Sequence, residues 1–62
     1  MTSRDVIKAL TAAGFVKAGQ KGSHVQFKHP QRKGRVTVPH PKHDLPIGTM
    51  MSIERQSGIR LR

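Results

Sequence analysis

The chain has 62 residues, no cysteine, tryptophan or tyrosine, and a formal net charge of +9. A domain this short buries only about 60% of the surface its unfolded chain exposes, and without cysteine neither a disulfide nor a thiolate metal site reinforces it. No apolar run approaches the roughly 20 residues of a membrane span, and Met1-Thr2-Ser3-Arg4-Asp5 lacks the apolar segment of a signal peptide.

Thr2 and Ser3 are candidate caps for a first helix, and Thr2-x-x-Asp5 approximates a capping box. Val6, Leu10 and Ala13 repeat at helical spacing, with Ile7 and Ala9 widening the stripe. Gly14 supplies the left-handed residue that ends helices. Phe15 to Gln20 reads as a strand and Lys21-Gly22 as the tight turn after it. Ser23 to His29 is a second strand, closed by Pro30 because proline cannot donate to a central ladder. Gln31-Arg32-Lys33-Gly34 makes a basic loop. Arg35-Val36-Thr37-Val38 is a third strand, with the valines inward.

Three prolines between Pro39 and Pro46 exclude regular structure there. Pro46 suits the first turn of a second helix running to about Ser57. Ile47, Met50 and Ile53 form its apolar stripe, Gly58 ends it, and Ile59 is placed to fold back. Arg60-Leu61-Arg62 is expected to fray. The order is α-β-β-β-α, an α+β class. A three-stranded antiparallel sheet with one apolar face needs a layer against it, and two helices on one face provide that layer. The arrangement is that of a double-stranded-RNA-binding domain, and we expect residues 1–62 to form a single domain.

Between Val16 and Asp44 there is no carboxylate, while Lys17, Lys21, Lys28, Arg32, Lys33, Arg35, Lys42 and all four histidines fall inside that interval. A field of this sign favours a polyanion. Within it, His24-Val25-Gln26-Phe27-Lys28 alternates. On a strand, Val25 and Phe27 point inward together, while His24, Gln26 and Lys28 share the outward face. Arg35 and Thr37 join them from the third strand.

An outward imidazole among cations is suited to phosphodiester chemistry. A neutral ring accepts a proton from a ribose 2′-hydroxyl, and nearby cations stabilise the phosphorane as charge builds. His24 is thus the candidate catalytic residue. Lys21, Gly22, Ser23, Gln26, Lys28, Arg32, Lys33, Arg35 and Lys42 are candidates for holding RNA and its phosphates. Gly22 allows close backbone approach. The bland alternative is an exposed strand histidine within a solvated cationic surface.

Other patterns carry less. His40-x-x-His43 has a zinc-like spacing but lacks the three or four converging ligands zinc sites need. His40-x-Lys42 matches a short phosphodiesterase pattern by accident, because the aspartate expected five residues after the lysine is Ile47. Two-metal nucleases cluster carboxylates, and Asp5, Asp44 and Glu54 fall in three separate elements. Asp44 reads as a loop or capping residue, and Glu54 as solvent-facing. No metal or other cofactor is expected. Backbone N–H groups near Gly48-Thr49 suit a phosphate or purely local capping equally well. Met50 reads as core filler and Met51 as a partner-facing neighbour.

Gly22-Ser23-His24, Phe27-x-His29-Pro30, Val36-Thr37-Val38-Pro39-His40-Pro41 and Asp44-Leu45-Pro46-x-Gly48-Thr49 occur in this order, followed by Ile53-x-x-Gln56-x-Gly58. Together they resemble the HicA family of toxins across essentially the whole chain. The resemblance implies metal-independent cleavage of mRNA in the cytoplasm and neutralisation by a HicB-like antitoxin covering the His24 face. It places the family's catalytic histidine on His24. Val25 and Gln26 stand where bulkier or aromatic residues are common, and Ser57 replaces a frequent alanine. Two other readings compete: a non-catalytic RNA-binding module of the same fold, and a basic adaptor for an acidic protein.

Overall fold

The computed structural model describes residues 1–62, and its first element starts at a closed cap. The Asp5 N–H donates to Thr2 Oγ1 at 3.1 Å and the Thr2 N–H to Asp5 Oδ2 at 3.2 Å. The bond from the Thr2 backbone N–H, with further help from the Thr2 hydroxyl, holds the Asp5 carboxyl below its usual 3.8. Helix α1 (Ser3–Ala12) buries Ser3, Val6 and Leu10. Ala13, expected in that stripe, instead forms the exposed C-cap. Gly14 follows at φ 97°, a conformation costly to any residue with a Cβ, and turns the chain so that Phe15 enters the core.

Strands β1 (Val16–Lys21), β2 (His24–Lys28) and β3 (Val36–Pro39) form one antiparallel sheet in the order β1-β2-β3. Lys21 belongs to the strand, pairing with His24, so the hairpin loop is Gly22-Ser23. Gly22 has φ 59° and Ser23 a negative φ, the sign pattern of a type II′ turn, which matches the twist of the flanking strands. A bulge falls at Ala18, between the Lys17–Phe27 and Gly19–Gln26 pairs.

Val25 and Phe27 face the helices together with Val36 and Val38, and Leu10, Phe15, Leu45, Met50 and Ile53 complete the buried cluster around Val6. The two helices cover this one face. Gln56 of α2 (Ile47–Ser57) also shields the free edge of the sheet, its Oε1 accepting the Thr37 N–H at 3.1 Å.

Expectations for Ile47, the tail and Glu54 fail. Ile47 is 60% exposed, because the buried line on α2 runs through Met50, Ile53 and Ser57, and Ile47 lies outside it. The tail does not fray. Leu61 packs against the core, as Ile59 does. Glu54, expected to face solvent, is half-buried beneath the tail: its Oε2 accepts the Leu61 N–H at 2.7 Å, and Arg62 Nη2 reaches its Oε1 at 3.3 Å. Of its two expected places, Asp44 takes the loop and not the cap. The N-cap is Pro46, and Asp44 lies exposed 3.8 Å from the Met1 amino group.

The Leu61 N–H, with further help from Arg62, holds the Glu54 carboxyl below its usual 4.5. A carboxyl depressed by folding stabilises the fold above its unfolded pKa and loses that contribution as pH falls through the folded value. The unfolding midpoint should therefore drop as pH falls below 4.5. Glu54→Gln should show a lower midpoint at pH 7 and a shallower drop in acid. A pH profile parallel to that of the unsubstituted protein would contradict this.

Candidate nucleic-acid interface

The sheet face turned away from the helices is built by strand phase. Because Val25 and Phe27 are fixed inward by burial, His24, Gln26 and Lys28 must project outward. Direct pairing then sets the rows. Lys21, His24 and Pro39 form one, Gly19, Gln26 and Thr37 the next, and Val16 and Lys28 the third. Arg35 leads into β3 on the same face, and its Nη1 donates to Gln26 Oε1 at 2.7 Å. No carboxylate shares this surface.

His24 is exposed at the mouth of the Gly22-Ser23 turn. The histidine rings engaged in hydrogen bonds are His29 and His40. The Ser23 carbonyl accepts the His40 N–H at 2.7 Å, which pins the turn to the end of β3. A tight turn thus fixes the backbone of His24 while its ring remains free to meet a ligand.

The structure brings Lys21, Gly22, Ser23, Gln26, Lys28 and Arg35 together with His24, and places the other three candidates elsewhere. The Arg32 guanidinium lies against Gly58, at the negative end of α2: a Cβ built on Gly58 would sit 2.7 Å from Arg32 Nη1. Lys33 is exposed in the loop between β2 and β3. Lys42 lines a cleft of about 390 Å³ with Thr2, Ser3, Arg4, His40, Pro41 and His43.

Three of the four histidines thus separate by role. His29 Nδ1 accepts the Gln31 N–H at 3.0 Å, so its proton sits on Nε2, which faces the Ala13 carbonyl at 3.1 Å. Its ring packs edge-on against Phe15, with centroids 5.0 Å apart. It therefore ties the end of β2 to the end of α1. His40 Nδ1 shares a 2.7 Å hydrogen bond with the buried Ser3 hydroxyl, which also accepts the Lys42 N–H at 2.8 Å. No group of three or more His, Asp or Glu side chains converges anywhere, and no helix is long and apolar enough to cross a membrane.

Sequence reasoning passed over Gly19. Its signal was available: a glycine in the interior of a strand, where it has no side chain to pack.

Several of the motif residues quoted above have structural duties in this arrangement, among them Phe27, His29, His40, Leu45, Gln56 and Gly58. His24 alone among the histidines of those motifs stands open on the basic face. No curated protein matches the chain. The family model for the HicA toxin of bacterial toxin-antitoxin systems matches residues 3–59. That span takes in every strand and both helices, and the chain belongs to the HicA toxin family.

Proposed function

We propose that this toxin is a cytoplasmic single-domain endoribonuclease that cuts mRNA without a metal, arresting translation and growth. The observation that carries the reading is His24, exposed on a carboxylate-free sheet face beside a tight glycine turn. In this mechanism the neutral His24 ring takes the proton of a ribose 2′-hydroxyl. The 2′-oxygen attacks phosphorus, forming one P–O bond as the P–O5′ bond breaks. The departing 5′-oxygen receives a proton from the imidazolium or from water. Lys21 and Lys28 stabilise the equatorial oxygens as charge accumulates, while Arg35 is held against Gln26. The backbone of Gly22 and Ser23 admits the phosphate closely. Arg32, Lys33 and Lys42 serve RNA further from the reacting bond.

A HicB-like antitoxin would neutralise this activity by covering the same face with acidic and hydrogen-bonding groups, burying His24. The three carboxylates lie in separate elements, so cutting should persist undiminished in EDTA. If roughly five cations neutralise phosphates, log K for single-stranded RNA should fall with log salt at a slope of about −3.5. Purified protein incubated with RNA in EDTA separates the readings. Tight, salt-sensitive binding without cutting would identify a binding module. Absence of both would leave only a basic adaptor.

A further inference from the structure

Gly19 occupies the interior of β1, where glycine weakens a strand and β-branched residues serve better. The ordinary reasons for a glycine fail here. Left-handed φ values belong to Gly14, Gly22, Gly34 and Gly58, so Gly19 is not needed for its conformation. For the same reason the adjoining bulge is not of the type built on a left-handed glycine. A Cβ placed on Gly19 meets nothing within 4 Å, so no neighbour excludes one. What the glycine leaves is an opening on the outer face, directly beside Gln26 and its other partner Thr37.

Gln26 is oriented. A guanidinium has donors only, so the Gln26 oxygen must be the atom facing Arg35 Nη1 at 2.7 Å. The Nε2 hydrogens are left for an external acceptor. Residues two apart on a strand share a face about 6.6–6.8 Å apart, which places Gln26 about one nucleotide from His24. Both phenylalanines are buried, so this face has no phenyl ring on which a base can stack. A base held here must lie against bare backbone, flanked by the exposed Val16 side chain.

We propose that the Gly19-Gln26-Thr37 row is a nucleobase subsite. The base next to the scissile phosphate lies over the Gly19 backbone while Gln26 Nε2 donates to an acceptor on its edge. Gln26 is then a specificity-determining residue and Arg35 the positioning residue that fixes its amide. The inference rests on the RNA-cleaving reading and adds the base reader to it. Because Oε1 is engaged, the subsite favours a carbonyl edge, as at guanine O6 or uracil O4, over the amino edge of adenine N6 or cytosine N4. Gln26→Glu keeps the partner for Arg35 but replaces donor by acceptor, which favours adenine N6 or cytosine N4.

Cut sites should be mapped on random-sequence RNA for the unsubstituted protein, Gln26→Glu and Gly19→Leu, with affinities for short single-stranded RNAs measured in parallel. Gln26→Glu should shift one position beside the cut toward adenine or cytosine by about tenfold. Gly19→Leu should retain its circular dichroism spectrum yet lose affinity and cutting, because its side chain fills the opening in which the base would lie. An unchanged cut profile in Gln26→Glu, or unsubstituted behaviour in Gly19→Leu, overturns the proposal. Should the unsubstituted protein bind RNA without cutting, the catalytic reading fails and binding alone judges the subsite. Gln26→Glu must then reorder the affinities of RNAs differing at one base, and an unchanged order overturns it. Absence of binding overturns both.

Discussion

His24→Ala is expected to cut RNA about 10²–10⁴-fold more slowly than the unsubstituted protein, the usual contribution of a positioned acid or base. Its unfolding midpoint should not move. The ring is exposed, and the histidine hydrogen bonds that hold the fold together belong to His29 and His40. Removing an exposed side chain without structural partners usually changes stability by less than about 0.5 kcal/mol. The pairing of a large kinetic loss with an unchanged midpoint distinguishes a chemical role from a structural one. RNA affinity should fall little, since the cations of the same face remain. A variant that cuts at the unsubstituted rate would remove His24 from the mechanism, and a variant that unfolds would contradict its free position in the structure.

Leu10→Ala is expected to remove about half of the stability of the isolated protein. Leu10 has no exposed surface and sits where α1 meets the sheet, within a core of ten residues. Truncating a buried leucine to alanine costs about 2–5 kcal/mol, part of it from the cavity left behind. A domain of this length has only about 3–9 kcal/mol in total at typical values per residue. Far-ultraviolet circular dichroism during urea titration measures the effect directly. A midpoint shifted by less than a tenth would show that the core relaxes around the cavity.

Local chemistry made much of the fold legible in the sequence. The Thr2–Asp5 capping box is a matter of neighbouring atoms, and it closes as the residue types require. The outward phase of His24, Gln26 and Lys28 follows once Val25 and Phe27 are inside, since alternation leaves no other choice. Elements whose fate depends on distant partners were not legible. The tail is ordered because Glu54 is placed to accept the Leu61 and Arg62 N–H groups, and no local pattern announces that pairing. Ile47 matches a helical stripe by spacing, but the rotation of α2 on the sheet turns it outward.

The candidate site divides in the same way. Residues within the β1–β2 hairpin are brought together across a turn at Gly22-Ser23, one residue beyond the Lys21-Gly22 turn expected from the sequence. Arg32, by contrast, carries the right charge but lies over the end of α2, against Gly58. Charge counting along the chain cannot register such a placement. His29 and His40 likewise share their residue type with His24 while serving as ties between distant segments. Only the positions of Ala13 and Ser3 reveal those duties.

In the proposed mechanism His24 draws a proton from the 2′-hydroxyl of the RNA itself, so the new bond to phosphorus is internal. Analysis of the ends left on a cut RNA tests it most directly. An internal attack leaves 2′,3′-cyclic phosphate and 5′-hydroxyl termini, and cutting should be lost wherever a single 2′-deoxynucleotide precedes the scissile bond. Termini bearing a 5′-phosphate and a 3′-hydroxyl, or undiminished cutting at the deoxy position, would contradict it.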